Sequence, residues 1–241
     1  MGVENSEIAS IISRGAESLN IKLPPGACAA FGVYYSLLEQ RGQGFNLTAI
    51  KGAEDVARLH FLDSLALLGA ASFDGARVID IGSGAGFPGV PLKIAVPSVS
   101  LALLDATGKR VAFLSELCAA LGIEATCHQA RAEEAAHRPD MRERYDVVFS
   151  RAVARLDVLC ELCLPFVCVG GVFLAMKGID ATEEIDGSRS AIKTLGAEFE
   201  GNKAYTIPET DITRGIIVIR KTTETPLMYP RRYAKILNTP L

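Results

Sequence analysis

The sequence predicts an α/β protein in which an N-terminal helical extension precedes a seven-stranded, mostly parallel, doubly wound sheet. From residue 77 onward, short apolar segments of strand length alternate with segments of helical period. A glycine-rich turn, Gly82 to Gly86, follows the first apolar segment and opens a helix, as in nucleotide-binding sheets. Before residue 72, apolar side chains recur at helical spacing only.

The N-terminal extension reads as three helices. The first covers 6–20, with isoleucines and leucine on one face, and the second begins at prolines and ends at Gly42. The third resumes the helical period after a loop and stops at Gly69.

The strands that follow are apolar on both faces, which predicts a sheet covered by helices on two sides. The predicted strands are 77–82, 100–106, 124–130, 145–152, 171–177, 199–207 and 215–221. Helices are predicted near 88–96, 108–122, 156–168 and 181–196. Because no helix separates the last two strands, they are expected to form an antiparallel hairpin at the sheet edge. We therefore divide the chain into a helical extension (1–72), a core (73–223) and a basic C-terminal tail (224–241).

The composition is that of a globular protein, with 49% apolar and 22% charged residues. A net charge of −3 excludes a strongly basic protein but not a local basic patch. The longest apolar run, 164–176, is too short to span a bilayer, and the N-terminus lacks the pattern of a signal peptide. We expect a cytoplasmic protein without a metal site, because Cys160 and Cys163 have no second pair at ligand spacing.

The glycine turn allows two cofactors. Gly84, Gly86 and Gly89 match a dinucleotide fingerprint, with Asp105 at the distance of the acid that binds a ribose. Asp80, two residues before Gly82, favours S-adenosylmethionine instead, since a carboxylate repels a diphosphate but suits the ammonium of a methionine moiety. The apolar helix start FPGVP also suits phosphates poorly. A nicotinamide-dependent oxidoreductase remains the alternative.

Further candidates end the later strands. Asp105 ends the second strand, where its carboxylate can accept both ribose hydroxyls. Ala132 and Glu133 follow the third strand, beside the expected adenine, although Glu133 is equally suited to a helix N-terminus. Arg151 ends the fourth strand where a methyl acceptor would lie, and a structural ion pair is the other interpretation of this arginine.

The C-terminal segment is locally basic. From residue 214 onward, one acid, Glu224, stands against six basic residues: Arg214, Arg220, Lys221, Arg231, Arg232 and Lys235. Tyr229 and Tyr233 interleave with the last three, and aromatic rings can stack on unpaired bases. Contacts to RNA and a solvated tail are both compatible with this pattern.

Seven motifs together resemble one known family. In chain order they are FNLTAI (45–50), HFLDSL (60–65), DIGSGAGFPGVPLKI (80–94), LLDATGKRVAFL (103–114), ARAEE (130–134), SRAVA (150–154) and YPRRYAK (229–235). This order is similar to that of the bacterial 16S ribosomal RNA guanine-N7 methyltransferases, also called glucose-inhibited division protein B. The resemblance implies a Rossmann-like class I methyltransferase that passes a methyl group from S-adenosylmethionine to N7 of one guanine in the 530 loop.

The resemblance also implies residue roles. Gly82 and Phe87 would contact the cofactor from the glycine turn. Gly84 and Asp80 are assigned to the same cofactor from the turn itself, with Asp80 at the methionine end. The ribose would lie at Asp105, Ala106 and Thr107, and the adenine at Ala132 and Glu133. Arg151 would serve the methionine or acceptor side, and Arg231, Arg232 and Lys235 would contact RNA.

No general base is expected, because N7 of guanine has an in-plane lone pair and no proton to lose. Catalysis would rest on positioning. His60, beside Asp63, is a candidate for shaping the acceptor pocket. The expected partner is 16S rRNA or the small ribosomal subunit, rather than DNA or a membrane, and the expected state is a monomer. A non-enzymatic, cofactor-sensing RNA-binding module is a second alternative.

Overall fold

The computed structural model describes residues 3–42, 47–151 and 153–241. Phe45 and Asn46 of the FNLTAI motif and Ala152 of the SRAVA motif therefore lie outside the described residues. The strands are β1 Arg77–Ile81, β2 Ser100–Asp105, β3 Ala125–Gln129, β4 Tyr145–Arg151, β5 Val167–Gly178, β6 Ala197–Thr206 and β7 Thr213–Lys221.

These strands form one sheet in the order β3-β2-β1-β4-β5-β7-β6. Strands β1 to β5 pair in parallel, whereas β7 is antiparallel to both β5 and β6. The predicted mostly parallel, seven-stranded sheet is confirmed, and its last two strands form the predicted antiparallel pair with β6 at the edge.

The helices precede and alternate with the strands. They are α1 Val3–Ser18, α2 Ala27–Gly42, α3 Ala53–Val56, α4 Asp63–Leu65, α5 Gly89–Ala95, α6 Gly108–Leu121, α7 Ala132–Ala135, α8 Leu156–Cys163, α9 Thr182–Thr194 and α10 Tyr233–Asn238. A π-helical segment, Ala57–Leu62, joins α3 to α4, and a 3₁₀ turn, Ala66–Gly69, follows α4. The predicted third helix is therefore one helical run of changing pitch.

Alternate residues of each central strand face two separate cores. On one face, Val78 and Val147 pack with α1, α2, the 53–69 helical run, α5 and α6. On the other face, Ile79 and Val148 pack with α7 to α10. Because successive side chains of a strand point to opposite faces of the sheet, the apolar strand residues are divided between two layers of helices. A doubly wound sheet requires this arrangement.

The fold places a crevice at the carboxyl ends of β1, β2 and β4. Strand β1 lies between β2 and β4. The strand order therefore reverses at β1, because β2 and β3 follow on one side of it and β4 and β5 on the other. Ligands of open α/β sheets bind at such a reversal of strand order. The glycine turn after β1 opens into this crevice.

Two local differences from the sequence expectations have physical reasons. The helix predicted for 156–168 ends at Cys163, because Pro165 lacks the N–H that would continue it, and β5 begins at Val167. Helices α7 and α10, of four and six residues, are too short for a clear periodic signal. Among the described residues, no helix is both long and apolar enough to cross a bilayer.

Candidate active site

A cavity of about 460 Å³ opens at the crevice. Seven of the residues predicted for the cofactor line it: Gly82, Gly84, Phe87, Asp105, Ala106, Thr107 and Arg151. Leu47, Thr48 and His60 add a wall from the N-terminal extension. Residues from four separate parts of the chain therefore meet at the predicted place.

The glycine turn is compact because side chains are absent from it. Gly82 has φ +76°, and a Cβ there would lie 2.7 Å from Val153. Gly86 has φ +100°, and a Cβ there would lie 2.6 Å from the Tyr34 hydroxyl. Both positions combine a positive φ with a close approach, so glycine is required at each.

Four of the five N–H groups of the glycine turn, those of Gly82, Ser83, Gly84 and Gly86, have protein acceptors. Gly82 and Ser83 donate to the Leu104 carbonyl at 2.8 and 3.1 Å. Gly84 donates to Asp105 Oδ2 at 3.0 Å, and Gly89 at the start of α5 donates to Asp80 Oδ2 at 2.9 Å. A dinucleotide diphosphate binds through free N–H groups at such a turn and helix start. The turn therefore suits a cofactor without a diphosphate.

Asp80 lies beneath the turn and does not line the cavity. Its side chain is fully buried, and its Oδ1 has no hydrogen-bond partner. Burial raises the pKa of this carboxyl to about 7, although the Gly89 N–H and the Arg151 charge act in the opposite direction. The carboxylate fixes the start of α5 in this structure, and its predicted role toward an ammonium group stays a prediction.

Asp105 connects the cavity to the turn. It is 4% exposed, its Oδ2 accepts from Gly84, and its Oδ1 accepts from the Thr107 N–H at 2.8 Å. Arg110 lies 3.5 Å from Oδ2. Each carboxylate oxygen has two lone pairs, so Asp105 can hold the turn and still accept from a ribose.

The Phe87 ring stacks on two other aromatic rings. His60 stacks on it at 4.3 Å between centroids and 13°, and Tyr34 stacks at 5.1 Å and 9°. The Tyr34 hydroxyl donates to the Ala85 carbonyl at 2.6 Å, and the Arg151 guanidinium lies 5.1 Å from the Phe87 centroid. The second helix and the π-helical segment thus fix the ring that the glycine turn presents.

Asp63 organises a group of charged and aromatic side chains that we call the Asp63 cluster: His60, Asp63, Arg151, Tyr205 and Arg214. Asp63 is fully buried and accepts from Arg151 at 2.9 Å, Arg214 at 3.2 Å and the Tyr205 hydroxyl at 2.7 Å. Two guanidinium groups around one carboxylate leave a positive charge beside the cavity. Such a charge suits a carboxylate, a phosphate or the O6 of a guanine.

His60 is neutral in this arrangement. Its Nδ1 lies 3.0 Å from Arg151 Nη2, which can only donate, so Nδ1 accepts. The proton therefore sits on Nε2, which donates to Thr48 Oγ1 at 2.6 Å. Burial, together with Arg151 and Arg214, lowers the pKa of His60 to about 3. His60 is fitted to shape the cavity rather than to exchange protons.

The remaining predicted residues lie outside the cavity lining. Ala132 and Glu133 begin α7 after β3 and are partly buried. Arg231 is ion-paired to Glu161 at 2.6 Å, whereas Arg232 and Lys235 are exposed. The roles of these residues toward adenine and RNA stay predictions.

Sequence reasoning missed Tyr34, Tyr205 and Arg214. Tyr34 has the helical spacing of a core residue. Tyr205 and Arg214 lie on the predicted edge hairpin, but no local pattern shows that their side chains reach Asp63. The six cysteines are free thiols. Within residues 3–42, 47–151 and 153–241, no group of three or more His, Cys, Asp or Glu side chains is arranged to hold a metal ion.

Comparison with known proteins places this site in a family. The family model GidB, described as rRNA small subunit methyltransferase G, matches residues 27–212. The chain belongs to this family. Relatives named ribosomal RNA small subunit methyltransferase G include one from Pelotomaculum thermopropionicum, which is 47% identical over 94% of this chain and 96% of its own. One from Acetivibrio thermocellus is 40% identical over all of both chains, and one from Bacillus subtilis is 42% identical over 90% and 92%.

Solved structures support the class I methyltransferase fold that the GidB family resemblance implies. The branched-chain polyamine synthase from Thermus thermophilus matches with a TM-score of 0.60 at 14% identity, over 85% of this chain and 66% of its own. Precorrin-6y C5,15-methyltransferase from Geobacter metallireducens matches with a TM-score of 0.50 at 16% identity, over 78% and 98%. At these identities the likeness concerns the fold alone. Neither the oxidoreductase nor the non-enzymatic module finds support in the GidB family match.

Proposed function

We propose that the protein transfers a methyl group from S-adenosylmethionine to N7 of one guanine in the 530 loop of 16S rRNA. Membership of the small-subunit rRNA methyltransferase G family supports the reaction class. The cofactor assignment is based mainly on the glycine turn: four of its five N–H groups are bonded to protein, and Asp105 lies beside it in the cavity. This combination suits a nucleoside with a ribose and no diphosphate.

Each residue predicted for the cofactor site has a role in this proposal. Bound S-adenosylmethionine supplies an electrophilic methyl group on a sulfonium. Asp105 accepts from the ribose hydroxyls while it holds Gly84, and Ala106 and Thr107 border the same sugar. Ala132 and Glu133 flank the adenine. Gly82 and Gly84 let the backbone approach the cofactor.

Phe87 and Arg151 serve the reacting end. The stacked Phe87 ring keeps water from the sulfonium, which favours migration of positive charge onto the purine. Arg151, fixed by Asp63 and His60, points its guanidinium at the cavity and can bind the methionine carboxylate or the guanine O6. Asp80 supports the turn from below. Rate enhancement then comes from alignment of the N7 lone pair with the methyl–sulfur bond.

The test follows methyl incorporation into small-subunit rRNA. Purified protein is incubated with tritiated S-adenosylmethionine and an RNA containing the 530 loop, and the labelled nucleoside is identified by chromatography. We expect 7-methylguanosine, and a matched RNA with 7-deazaguanosine at the acceptor position should take up no label. Label elsewhere, or equal label on the 7-deaza RNA, would refute N7 as the acceptor.

A binding comparison separates the proposed enzyme from the oxidoreductase. Calorimetric titration should detect S-adenosylmethionine and S-adenosylhomocysteine but not NADH. Because the substrate is ribosomal RNA, we expect the protein to act in the cytoplasm, and sedimentation equilibrium tests the predicted monomer.

A further inference from the structure

The most deeply buried ion pair of the C-terminal tail joins Arg231 to helix α8. Glu161 is 1% exposed and Arg231 is 15% exposed. The Glu161 carboxylate accepts from Arg231 Nε at 2.8 Å, from Nη2 at 2.6 Å and from the Arg231 backbone N–H at 2.7 Å. Paired, charge-assisted bonds of this kind are strong and directional. Arg231 is thus an anchor of the tail.

Residues 222–241, which we call the C-terminal strap, also lie against the loop between β3 and β4, residues 130–144. Arg142 donates to the carbonyls of Thr225 at 2.7 Å and Tyr229 at 2.9 Å. Glu143 accepts from the Thr225 N–H at 2.7 Å, and His137 Nε2 donates to the Pro230 carbonyl at 2.8 Å. The loop is therefore tied to the strap along its length.

Helix α7 begins within this loop and has four residues, Ala132–Ala135. A single helical turn is not stable by itself, since nucleation fixes several residues for one hydrogen bond. Its order must come from tertiary contacts. Ala132 packs in the same apolar cluster as Tyr229 and Tyr233, and the Arg131 guanidinium lies 6.0 Å from the Tyr233 centroid.

We propose that the C-terminal strap, locked by Arg231 and Glu161, positions Ala132 and Glu133 for the adenine of the cofactor. The proposal rests on the proposed function. Arg231 acts through helix α7 and makes no contact with the cofactor, so it is a positioning residue. The outer side of the strap, with exposed Arg232 and Lys235, stays free to meet RNA.

The test compares Arg231→Ala, Arg231→Lys and a control, Arg220→Ala, which removes an arginine ion-paired to Glu200 on the edge hairpin. Titration with S-adenosylmethionine, below the melting temperature of every variant, should show affinity lowered about tenfold by Arg231→Ala. Arg231→Lys should recover part of it, and Arg220→Ala should bind like the unaltered protein. The KM for S-adenosylmethionine should rise with kcat nearly retained.

Amide hydrogen exchange supplies an independent readout. The N–H groups of Ala135 and Ala136 bond to the carbonyls of Arg131 and Ala132, so loosening of α7 should speed their exchange in both Arg231 variants and not in Arg220→Ala. If Arg231→Ala fails to fold, Arg231→Lys carries the test through the same exchange and KM measurements.

Three results would overturn the positioning role. They are unaltered cofactor affinity in a folded Arg231→Ala protein, weaker cofactor binding with unchanged exchange in α7, and loss of RNA binding alone. Failure of the unaltered protein to bind S-adenosylmethionine would instead refute the proposed function, so the two failures are distinguishable.

Discussion

The Asp105 carboxylate has two roles. It accepts hydrogen bonds from the Gly84 and Thr107 N–H groups, and it lines the cavity. Asp105→Ala should therefore lower affinity for S-adenosylmethionine by at least about tenfold, equivalent to about 1.4 kcal/mol. Calorimetric titration measures this change. Asp211→Asn, at an exposed position between β6 and β7, is the matched control and should leave the affinity unchanged. An unaltered affinity in Asp105→Ala would show that this acid is misassigned.

Asp63 is a buried acceptor for three donors, so neutralising it leaves two guanidinium groups without a compensating carboxylate. We expect Asp63→Asn to lower the free energy of unfolding by about 3 kcal/mol, as in other broken buried ion pairs. Tyr205→Phe removes one of the three bonds and should cost about 1 kcal/mol. Urea denaturation measures both, and an equal effect of the two substitutions would contradict the central place of Asp63.

His60 should remain neutral across the physiological range, because burial and two arginines lower its pKa to about 3 from 6.5. The unfolded chain takes up a proton on this histidine below pH 6.5 and the folded protein does not. The contribution of His60 to stability is therefore full above pH 6.5 and declines as the pH falls toward 3. In NMR spectra assigned with a His60→Gln variant, the His60 ring resonances should not shift between pH 8 and 5. A titration centred near 6.5 would refute the buried, neutral assignment.

The sequence predicts a site residue well where that residue occupies a recognisable position, such as the end of a strand. Asp105 ends a strand beside a glycine turn, and the structure brings it to the cavity as expected. Tyr205 and Arg214 reach Asp63 from 142 and 151 residues away in sequence, which no local pattern encodes. Arg231 belongs to a basic run, but the sequence gives no sign that a glutamate in an apolar helix is its partner.

At the scale of elements, the glycine turn depends on a backbone path that side chains would block. Gly86→Ala would place a Cβ 2.6 Å from Tyr34 Oη at φ +100°, so we expect a loss of more than about 2 kcal/mol of stability together with loss of cofactor binding. Gly122→Ala is the control: it also has a positive φ, +61°, but a Cβ there meets nothing within 4 Å.

That control should cost about 1 kcal/mol and leave cofactor binding intact. Chemical denaturation and calorimetry report the two quantities. Equal effects of the two substitutions would mean that φ alone, and not the close packing under the turn, sets the requirement for glycine at residue 86.

The strands were easier to predict than the short helices. Parallel strands buried on two faces give continuous apolar runs, and all seven were located within a few residues of their observed bounds. Helix α7 has only four residues, so its own sequence contains too little periodicity to reveal it. The π-helical segment resembles an ordinary helix in sequence, because its apolar spacing is nearly the same.

At the scale of the whole molecule, the N-terminal helices are part of the site. They share one apolar core with the sheet and contribute Tyr34 and His60 to the stack on Phe87. The C-terminal strap closes the opposite face of the sheet against α8 and the β3–β4 loop. The division into an extension at 1–72, a core and a tail from 224 stays a prediction.

The proposed function requires that the cavity beside the glycine turn holds a sulfonium nucleoside. The most direct measurement is a crystal structure with S-adenosylhomocysteine. We expect the ribose hydroxyls to donate to Asp105, the adenine to lie beside Ala132 and Glu133, and the sulfur to lie near Phe87. Nucleoside density away from the turn, or a dinucleotide diphosphate bound at the turn in a parallel NADH soak, would contradict it.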